Sequence, residues 1–130
     1  MNGLDIFSYS MSNIPKAIDE FLCLSNTVIN DYDALLLHQA NQIIISRLVN
    51  KLGYKKGCVP ISLDKFGNTS SAAIPLTICD AFSKCEGKKR IIACGFGTGL
   101  SYGVTSFELN FDKVFSIIET DEVFDDGLIK

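Results

Sequence analysis

The amino-acid sequence predicts an α/β fold in which helices cover a mixed, mostly parallel sheet. Apolar residues at helical spacing alternate along the chain with short apolar runs of strand character. The predicted order is helix, strand, helix, strand, helix, strand, strand. Strands that alternate with helices form a largely parallel sheet, because each helix carries the chain back across it. The last two strands are too close in sequence for a crossover helix, so they are predicted to be antiparallel neighbours.

The first half of the chain contains two predicted helices and the strand between them. Apolar residues over 14–22 recur at helical spacing, and Pro15 is placed in the first turn, where its missing N–H is tolerated. The apolar run 34–37 predicts a buried strand that ends at His38. Apolar side chains then recur every four residues over 40–53, which predicts a helix that stops at a terminal glycine.

The second half contains three predicted strands and one helix. Residues 59–63 have strand character, and a helix is predicted to start at about residue 71. Residues 91–94 and 102–111 predict the last two strands, because both are apolar or alternating and glycines separate them. The chain after Asp112 changes to an apolar and then acidic composition, so it is treated as a separate C-terminal extension.

Composition excludes several classes of function. The 130 residues suit one domain, and a net charge of -3 argues against a protein that binds nucleic acid through phosphate contacts. Five cysteines without a Cys-x-x-Cys pair, and one histidine, offer few ligands for a metal site, so none is predicted. No signal peptide or long apolar segment is recognisable. We therefore expect a soluble, cytoplasmic protein without a membrane association.

Three polar or glycine-rich segments follow predicted strands: 38–41, 65–71 and 95–99. Ligands in open α/β sheets bind beyond the carboxyl ends of the strands, so these segments are expected to converge. Taken alone, His38 is a hydrogen-bond donor, a base, a metal ligand or simply a side chain satisfied by a backbone carbonyl at a helix start, and Asn68 is a donor or a turn residue. The glycines do not form Gly-x-Gly-x-x-Gly, so a tight turn between strands competes with any nucleotide site.

Together these segments resemble the C-terminal half of ketoacyl-acyl-carrier-protein synthase III, a condensing enzyme of the thiolase superfamily. The resemblance implies the C-terminal half of a thiolase-like fold and covers residues 1–109. His-Gln-Ala-Asn followed by Gly-Asn-Thr-Ser is a specific combination. The matching residues are Met1 to Gly3, His38 to Asn41, Leu63 to Ala72, Pro75, Gly95 to Leu100 and Gly103.

The resemblance implies an acyltransferase that uses acyl-CoA and malonyl-acyl-carrier-protein in fatty-acid or related polyketide biosynthesis, without a cofactor. A cysteine takes the acyl group, malonyl decarboxylates, and the carbanion attacks the acyl thioester. His38 and Asn68 match the residues that hydrogen-bond the malonyl thioester carbonyl as it gains negative charge. The backbone N–H of Thr98 is the candidate donor to the other thioester oxygen.

The sequence departs from the family in two respects. None of its cysteines matches the nucleophile, so the isolated chain is predicted to be inactive without a Cys-bearing N-terminal half. An arginine used for carrier-protein docking is absent after His-Gln-Ala-Asn. Arg47 and Lys51, four residues apart on one helix face, are candidates to replace it, and a solvated charged face is the alternative.

The predicted organisation is a thiolase-like domain over 1–112 and an extension of unknown role over 113–130. The family has the motif that begins at Met1 near its middle, so we expect a cut piece, an internal start or a split gene. Exposed apolar surface should then cause self-association, as in a homodimer, or binding to the missing half. A non-catalytic module that binds carrier protein or assists assembly is the alternative function. The acyl primer does not follow from the sequence.

Overall fold

Helices and strands alternate along the chain, as expected for an α/β fold. A computed structural model describes residues 3–55 and 59–121. Short 3₁₀ turns lie at Ile29–Asp31, Ser70–Ala72, Thr98–Leu100 and Phe111–Lys113. The regular elements are α1 (Gly3–Ser25), β1 (Ala34–Leu37), α2 (Gln42–Leu52), α3 (Leu63–Phe66), α4 (Ala73–Phe82), β2 (Lys88–Gly97) and β3 (Ser101–Asn110).

The three strands form one mixed sheet in the order β1-β2-β3. β1 runs parallel to β2, with Ala34 opposite Ile91, and β2 runs antiparallel to β3, with Gly97 opposite Ser101 at the turn. The mixed sheet and the antiparallel last pair are confirmed. β2 is longer than the predicted 91–94, because its charged start and glycine-rich end are held by backbone bonds to β3 rather than by apolar side chains.

The sheet separates two apolar clusters, one on each face. The larger cluster joins alternate residues of the strands, such as Leu35, Leu37 and Ile92, to α1 and α2. The smaller cluster joins the intervening residues, such as Leu36 and Ile91, to α4. Because successive strand residues point to opposite faces, a continuous apolar strand such as β1 contributes to both clusters.

α1 differs from the prediction because it begins at Gly3 and contains Pro15 in its interior. A proline there removes the N–H that would bond to the carbonyl four residues earlier, which costs about 3 kcal/mol. That carbonyl belongs to Met11, and the Lys51 side chain of α2 donates to it with Nζ 2.8 Å from the oxygen. A long-range hydrogen bond therefore replaces the missing helical one, which a local sequence pattern does not reveal.

The strand predicted over 59–63 is wrong. Residues 59–62 belong to no strand, and Leu63 starts the single helical turn α3. The Ser62 N–H bonds to the side-chain oxygen of Gln39 at 3.0 Å instead of to a neighbouring strand. The apolar character of this segment comes from side chains that pack against the larger cluster, such as Val59.

Beyond β3 the chain packs briefly at Phe111 and then continues to residue 121, the last described one, without helix or strand. Phe111 is buried and stacks on Phe82 with ring centroids 4.5 Å apart. Residues 114–121 form neither helix nor strand. Met1, Asn2, Lys56, Cys58 and the end of the extension lie outside the described residues. Over 3–55 and 59–121, no helix has the length and apolar character needed to span a bilayer.

Candidate active site

His38 is the first residue after β1 and lies beside the end of β2. Its backbone N–H donates to the Cys94 carbonyl at 2.9 Å, which fixes its position at the sheet edge. The imidazole meets the ring of Phe96 edge-on, with centroids 5.4 Å apart. Burial lowers the pKa of His38 from its ordinary value, because the charged form loses hydration. The neutral ring, with one N–H donor, is therefore favoured near pH 7.

The other polar residues of the His-Gln-Ala-Asn segment are structural. Gln39 is fully buried, and its side chain donates to the Leu37 carbonyl at 2.8 Å and accepts from the Ser62 N–H. Asn41 caps α2, because its Oδ1 accepts from the Ile44 N–H at 2.8 Å. The capping role was readable from an Asn before an apolar periodic run. The Gln39 bridge joins segments 23 residues apart and has no local signal.

Asn68 lies in the loop between α3 and α4, directly after Gly67, whose φ is 65°. Its Oδ1 accepts from the Ser70 N–H at 3.0 Å, which holds the turn. Because this bond uses only the side-chain oxygen, the two N–H donors of Nδ2 are not consumed by it. The turn role and the donor role of Asn68, which the sequence left as alternatives, are compatible.

Two contacts tie α3 and the residue before it to α4. The hydroxyls of Ser62 and Thr77 are both buried and lie 2.7 Å apart. Thr77 also donates to the Ala73 carbonyl at 2.8 Å. On the surface, Lys65 forms an ion pair with Asp80 at 2.7 Å. The buried pair is the stronger restraint, since a half-exposed ion pair contributes little. Sequence reasoning missed both, because the partners are 15 residues apart.

The turn between β2 and β3 has an unusual backbone. Gly99 has φ 73° and Leu100 has φ 50°, two successive residues in the left-handed region. The hydroxyl of Tyr9 on α1 donates to the Leu100 carbonyl. Thr98, whose N–H is a predicted donor, directly follows Gly97 in this turn.

The predicted segments converge on one cleft. An open cleft of ≈ 620 Å³ and a neighbouring pocket of ≈ 140 Å³ share four lining residues, which are His38, Asn68, Phe96 and Gly97. The two predicted side-chain donors therefore lie at the junction of two cavities, beside the glycine that precedes Thr98. Two convergent donors can bind an oxygen as it gains negative charge.

No thiol nucleophile accompanies these donors in the described part of the chain. None of the cysteines within residues 3–55 and 59–121 lines the cleft or the neighbouring pocket. Burial raises the pKa of Cys94 to about 12, so this sulfur stays protonated and inert. Nor do any three His, Cys, Asp or Glu side chains within those ranges come together as metal ligands would.

Arg47 and Lys51 lie apart from the His38 cleft, in a groove between α1 and α2 that Met11 and Asn50 also line. The Arg47 guanidinium lies 5.7 Å from the centroid of the Phe7 ring. Lys51 donates to the Met11 carbonyl. Both cations are exposed, and both contact α1 within the chain.

Comparison with known families gives one match over most of the chain. Residues 23–109 match the family model described as 3-oxoacyl-[acyl-carrier-protein (ACP)] synthase III C terminal. The chain is 38% identical over 112 residues to a beta-ketoacyl-[acyl-carrier-protein] synthase III of Trichodesmium erythraeum, and it covers 34% of that protein's length. It thus spans about a third of the length of such relatives.

Solved structures give the same result for the fold. A 3-oxoacyl-(acyl-carrier protein) synthase from Burkholderia xenovorans LB400 superimposes with a TM-score of 0.83 at 31% identity, over 92% of this chain and 35% of that one. The priming beta-ketosynthase of the R1128 polyketide pathway superimposes with a TM-score of 0.79 at 31% identity, over 85% of this chain and 34% of that one. The fold is therefore that of one part of these thiolase-like enzymes.

Proposed function

The chain belongs to the 3-oxoacyl-[acyl-carrier-protein] synthase III family, as its C-terminal domain, and on that premise we propose that it supplies the oxyanion-binding half of a decarboxylating condensing enzyme. The observation that supports this proposal is the shared lining of two cavities by His38 and Asn68. The proposed substrates are acyl-CoA and malonyl-acyl-carrier-protein, and no cofactor takes part.

The proposed step is the loss of CO₂ from the malonyl thioester. The bond between the α-carbon and the carboxylate breaks, and CO₂ leaves. The electron pair of that bond stays with the α-carbon and forms an enolate, whose oxygen becomes negative. The neutral His38 ring and the Asn68 amide donate hydrogen bonds to that oxygen. Removing one such donor from an enzyme costs about 10²–10³ in rate, because the donor acts where charge develops.

Condensation follows when the enolate carbon attacks the acyl thioester. A new carbon–carbon bond forms, the cysteine thiolate leaves, and the acyl carbonyl oxygen is negative in the intermediate. The Thr98 N–H, beside Gly97 at the cleft, is the proposed donor to this second oxygen. Its amide lies in the turn between β2 and β3 and carries no charge to desolvate.

The chain requires a partner in this proposal. The cysteine that forms the acyl thioester comes from a Cys-bearing N-terminal half. The complete enzyme is a homo-oligomer, namely a dimer. Acyl carrier protein docks in the groove that contains Arg47 and Lys51. Residues 1–112 form the domain and 113–130 an extension. The cytoplasm is the proposed location, since Cys23, Cys79, Cys85 and Cys94 are free thiols, as in a reducing compartment.

A second candidate is a non-catalytic module that binds carrier protein or assists assembly. The observation that favours it is the cleft's lining, to which none of the cysteines over 3–55 and 59–121 contributes. Such a module would bind acyl carrier protein without the N-terminal half. The parent chain and the variants His38→Ala and Asn68→Ala would bind it with equal affinity.

The deciding experiment measures CO₂ release from malonyl-acyl-carrier-protein by the chain co-expressed with a Cys-bearing N-terminal half of a relative. We expect activity in the parent and a loss of at least about 100-fold in His38→Ala and in Asn68→Ala. Asn30→Ala, an exposed Asn in the 3₁₀ turn Ile29–Asp31, is the matched control and should keep the parent rate. Parent rates in both cleft variants would show that the assigned roles are wrong.

A further inference from the structure

Tyr9 contacts the turn between β2 and β3 from the opposite end of the chain. Its hydroxyl donates to the Leu100 carbonyl, across a sequence separation of 91 residues. Its ring also lies against Tyr102, with centroids 6.4 Å apart. Tyr102 stands opposite Phe96 in the β2–β3 ladder and lines the cleft. Tyr9 therefore joins α1 both to the turn and to the start of β3.

The turn needs a restraint because its backbone is intrinsically unfavourable. Leu100 has φ 50°, where a residue with a Cβ is disfavoured by contact with its own carbonyl. Burial of the side chain does not hold it there, since Leu100 is 48% exposed. Such conformations persist where surrounding contacts over-determine them. The hydrogen bond from Tyr9 is the contact that fixes the Leu100 carbonyl in this orientation.

We propose that Tyr9 is a positioning residue, whose hydroxyl holds the 97–100 turn so that the Thr98 N–H faces the substrate oxygen. This inference rests on the proposed function, because it deepens the role given there to Thr98. The backbone path from the Leu100 carbonyl to Thr98 is short. Gly99 separates Thr98 from Leu100, and its φ of 73° is open to rotation once the carbonyl that follows is released.

The same contacts have a simpler reading, in which Tyr9 only packs α1 against β3. The two readings differ in which atom matters. Tyr9→Phe removes the hydroxyl and keeps the ring, so packing alone predicts little change. They also differ in their prediction for a second substitution, because Leu100→Asn favours a positive φ and lowers the need for the hydrogen bond.

The first measurement is the backbone ¹⁵N order parameter of residues 98–100 in the 130-residue chain. We expect values near 0.85 in the parent, as for rigid backbone, and below about 0.6 in Tyr9→Phe. Tyr9→Phe/Leu100→Asn should recover part of the loss, because asparagine favours a positive φ without the rotational freedom of glycine. Tyr32→Phe is the control, since it also loses a hydroxyl bond, to Thr27, and lies far from the turn.

The second measurement is the condensation rate of the same variants with the Cys-bearing half. We expect Tyr9→Phe to lower kcat about tenfold at unchanged KM, since a donor is loosened rather than removed. Unchanged order parameters, or a loosened turn with unchanged kcat, would overturn the inference. If the parent itself shows no condensation, the proposed function fails, while the order parameters still decide whether Tyr9 holds the turn.

Discussion

At His38 one structural cause has two consequences. The ring is partly buried against Phe96, so it is held in place and its charged form is disfavoured. A neutral imidazole has one N–H donor and leaves no fixed positive charge at the cleft. The neighbouring Gln39 is buried more deeply and serves only the backbone. Two adjacent polar residues thus differ in their surroundings, since His38 lines the cleft and the Gln39 side chain bonds only to backbone groups.

The pKa of His38 can be measured without ambiguity, because the chain has one histidine. We expect its NMR titration midpoint to lie below 6.5, the ordinary value, since burial disfavours the charged ring. The unfolded chain then takes up a proton at higher pH than the folded chain. The free energy of unfolding should therefore fall as pH is lowered from 6.5 to the folded-state pKa, and this contribution should be absent in His38→Gln. A midpoint at or above 6.5 would contradict the proposal of a neutral ring.

Gln39→Met tests the buried bridge between the end of β1 and Ser62. The substitution keeps the side-chain volume and leaves the Ser62 N–H without its acceptor, so we expect a loss of about 2 kcal/mol in unfolding free energy. Denaturant unfolding measures it. Gln42→Met, on the exposed start of α2, should change stability by less than about 0.5 kcal/mol. Equal effects at both positions would mean that the bridge contributes nothing.

Among the elements, α1 and α2 are joined by a hydrogen bond that replaces the helical bond missing at Pro15. Pro15 cannot donate to Met11, and Lys51 does so from the neighbouring helix. The bond therefore couples the interior of one helix to the last turn of another. This arrangement explains how a long helix accommodates a proline without ending there.

A double-mutant cycle tests this coupling. Lys51→Met should cost about 1 kcal/mol, since a charged donor is lost from an otherwise free carbonyl. In a Pro15→Ala background the alanine N–H can bond to Met11, so the same substitution should cost almost nothing. Thermal or denaturant unfolding of the four proteins gives the interaction energy. The exposed Lys16→Met is the control, and an identical cost of Lys51→Met in both backgrounds would exclude this replacement.

Sequence patterns predicted the elements whose own residues determine them. The β1 run, the periodic α2 with its glycine stop and the antiparallel end of the sheet follow from local spacing. The interior position of Pro15 in α1 and the missing strand over 59–62 did not, because the contacts made there come from Lys51 and Gln39, both distant in sequence. In the site, His38 and Asn68 were predicted from their residue types and their motifs. The hydrogen-bonded hydroxyls of Ser62 and Thr77 have no such signal in the sequence.

At the scale of the whole molecule, the sheet has exposed apolar residues at one edge. Among the described residues β3 is paired only with β2, and its Phe107 is 36% exposed. Leu100 and Tyr102 add exposed apolar surface at the start of the same strand. An edge strand with apolar side chains is a template for pairing with another chain along its unpaired side. The surface is therefore expected to be covered by another chain.

Light scattering tests this expectation. We expect a mass above 14.2 kDa that rises with concentration, and a decrease towards the monomer in Phe107→Lys, because a charge on an edge strand opposes pairing. Leu24→Lys, on the exposed end of α1, should leave the mass unchanged. A monodisperse monomer with a cooperative melt would refute the expectation for the isolated chain.

The parallel pairing of β1 with β2 also has a consequence during synthesis. Ala34 pairs with Ile91, which is 57 residues later (91 − 34 = 57). A ribosome that adds about 5–20 residues per second needs roughly 3 to 11 seconds to cover that distance. Among the described residues, β2 is the strand that pairs with the leucines of β1, and it is synthesised only after that interval. The edge of β1 that β2 covers therefore lacks this partner for seconds during synthesis, and a holding chaperone can bind its leucines in that time.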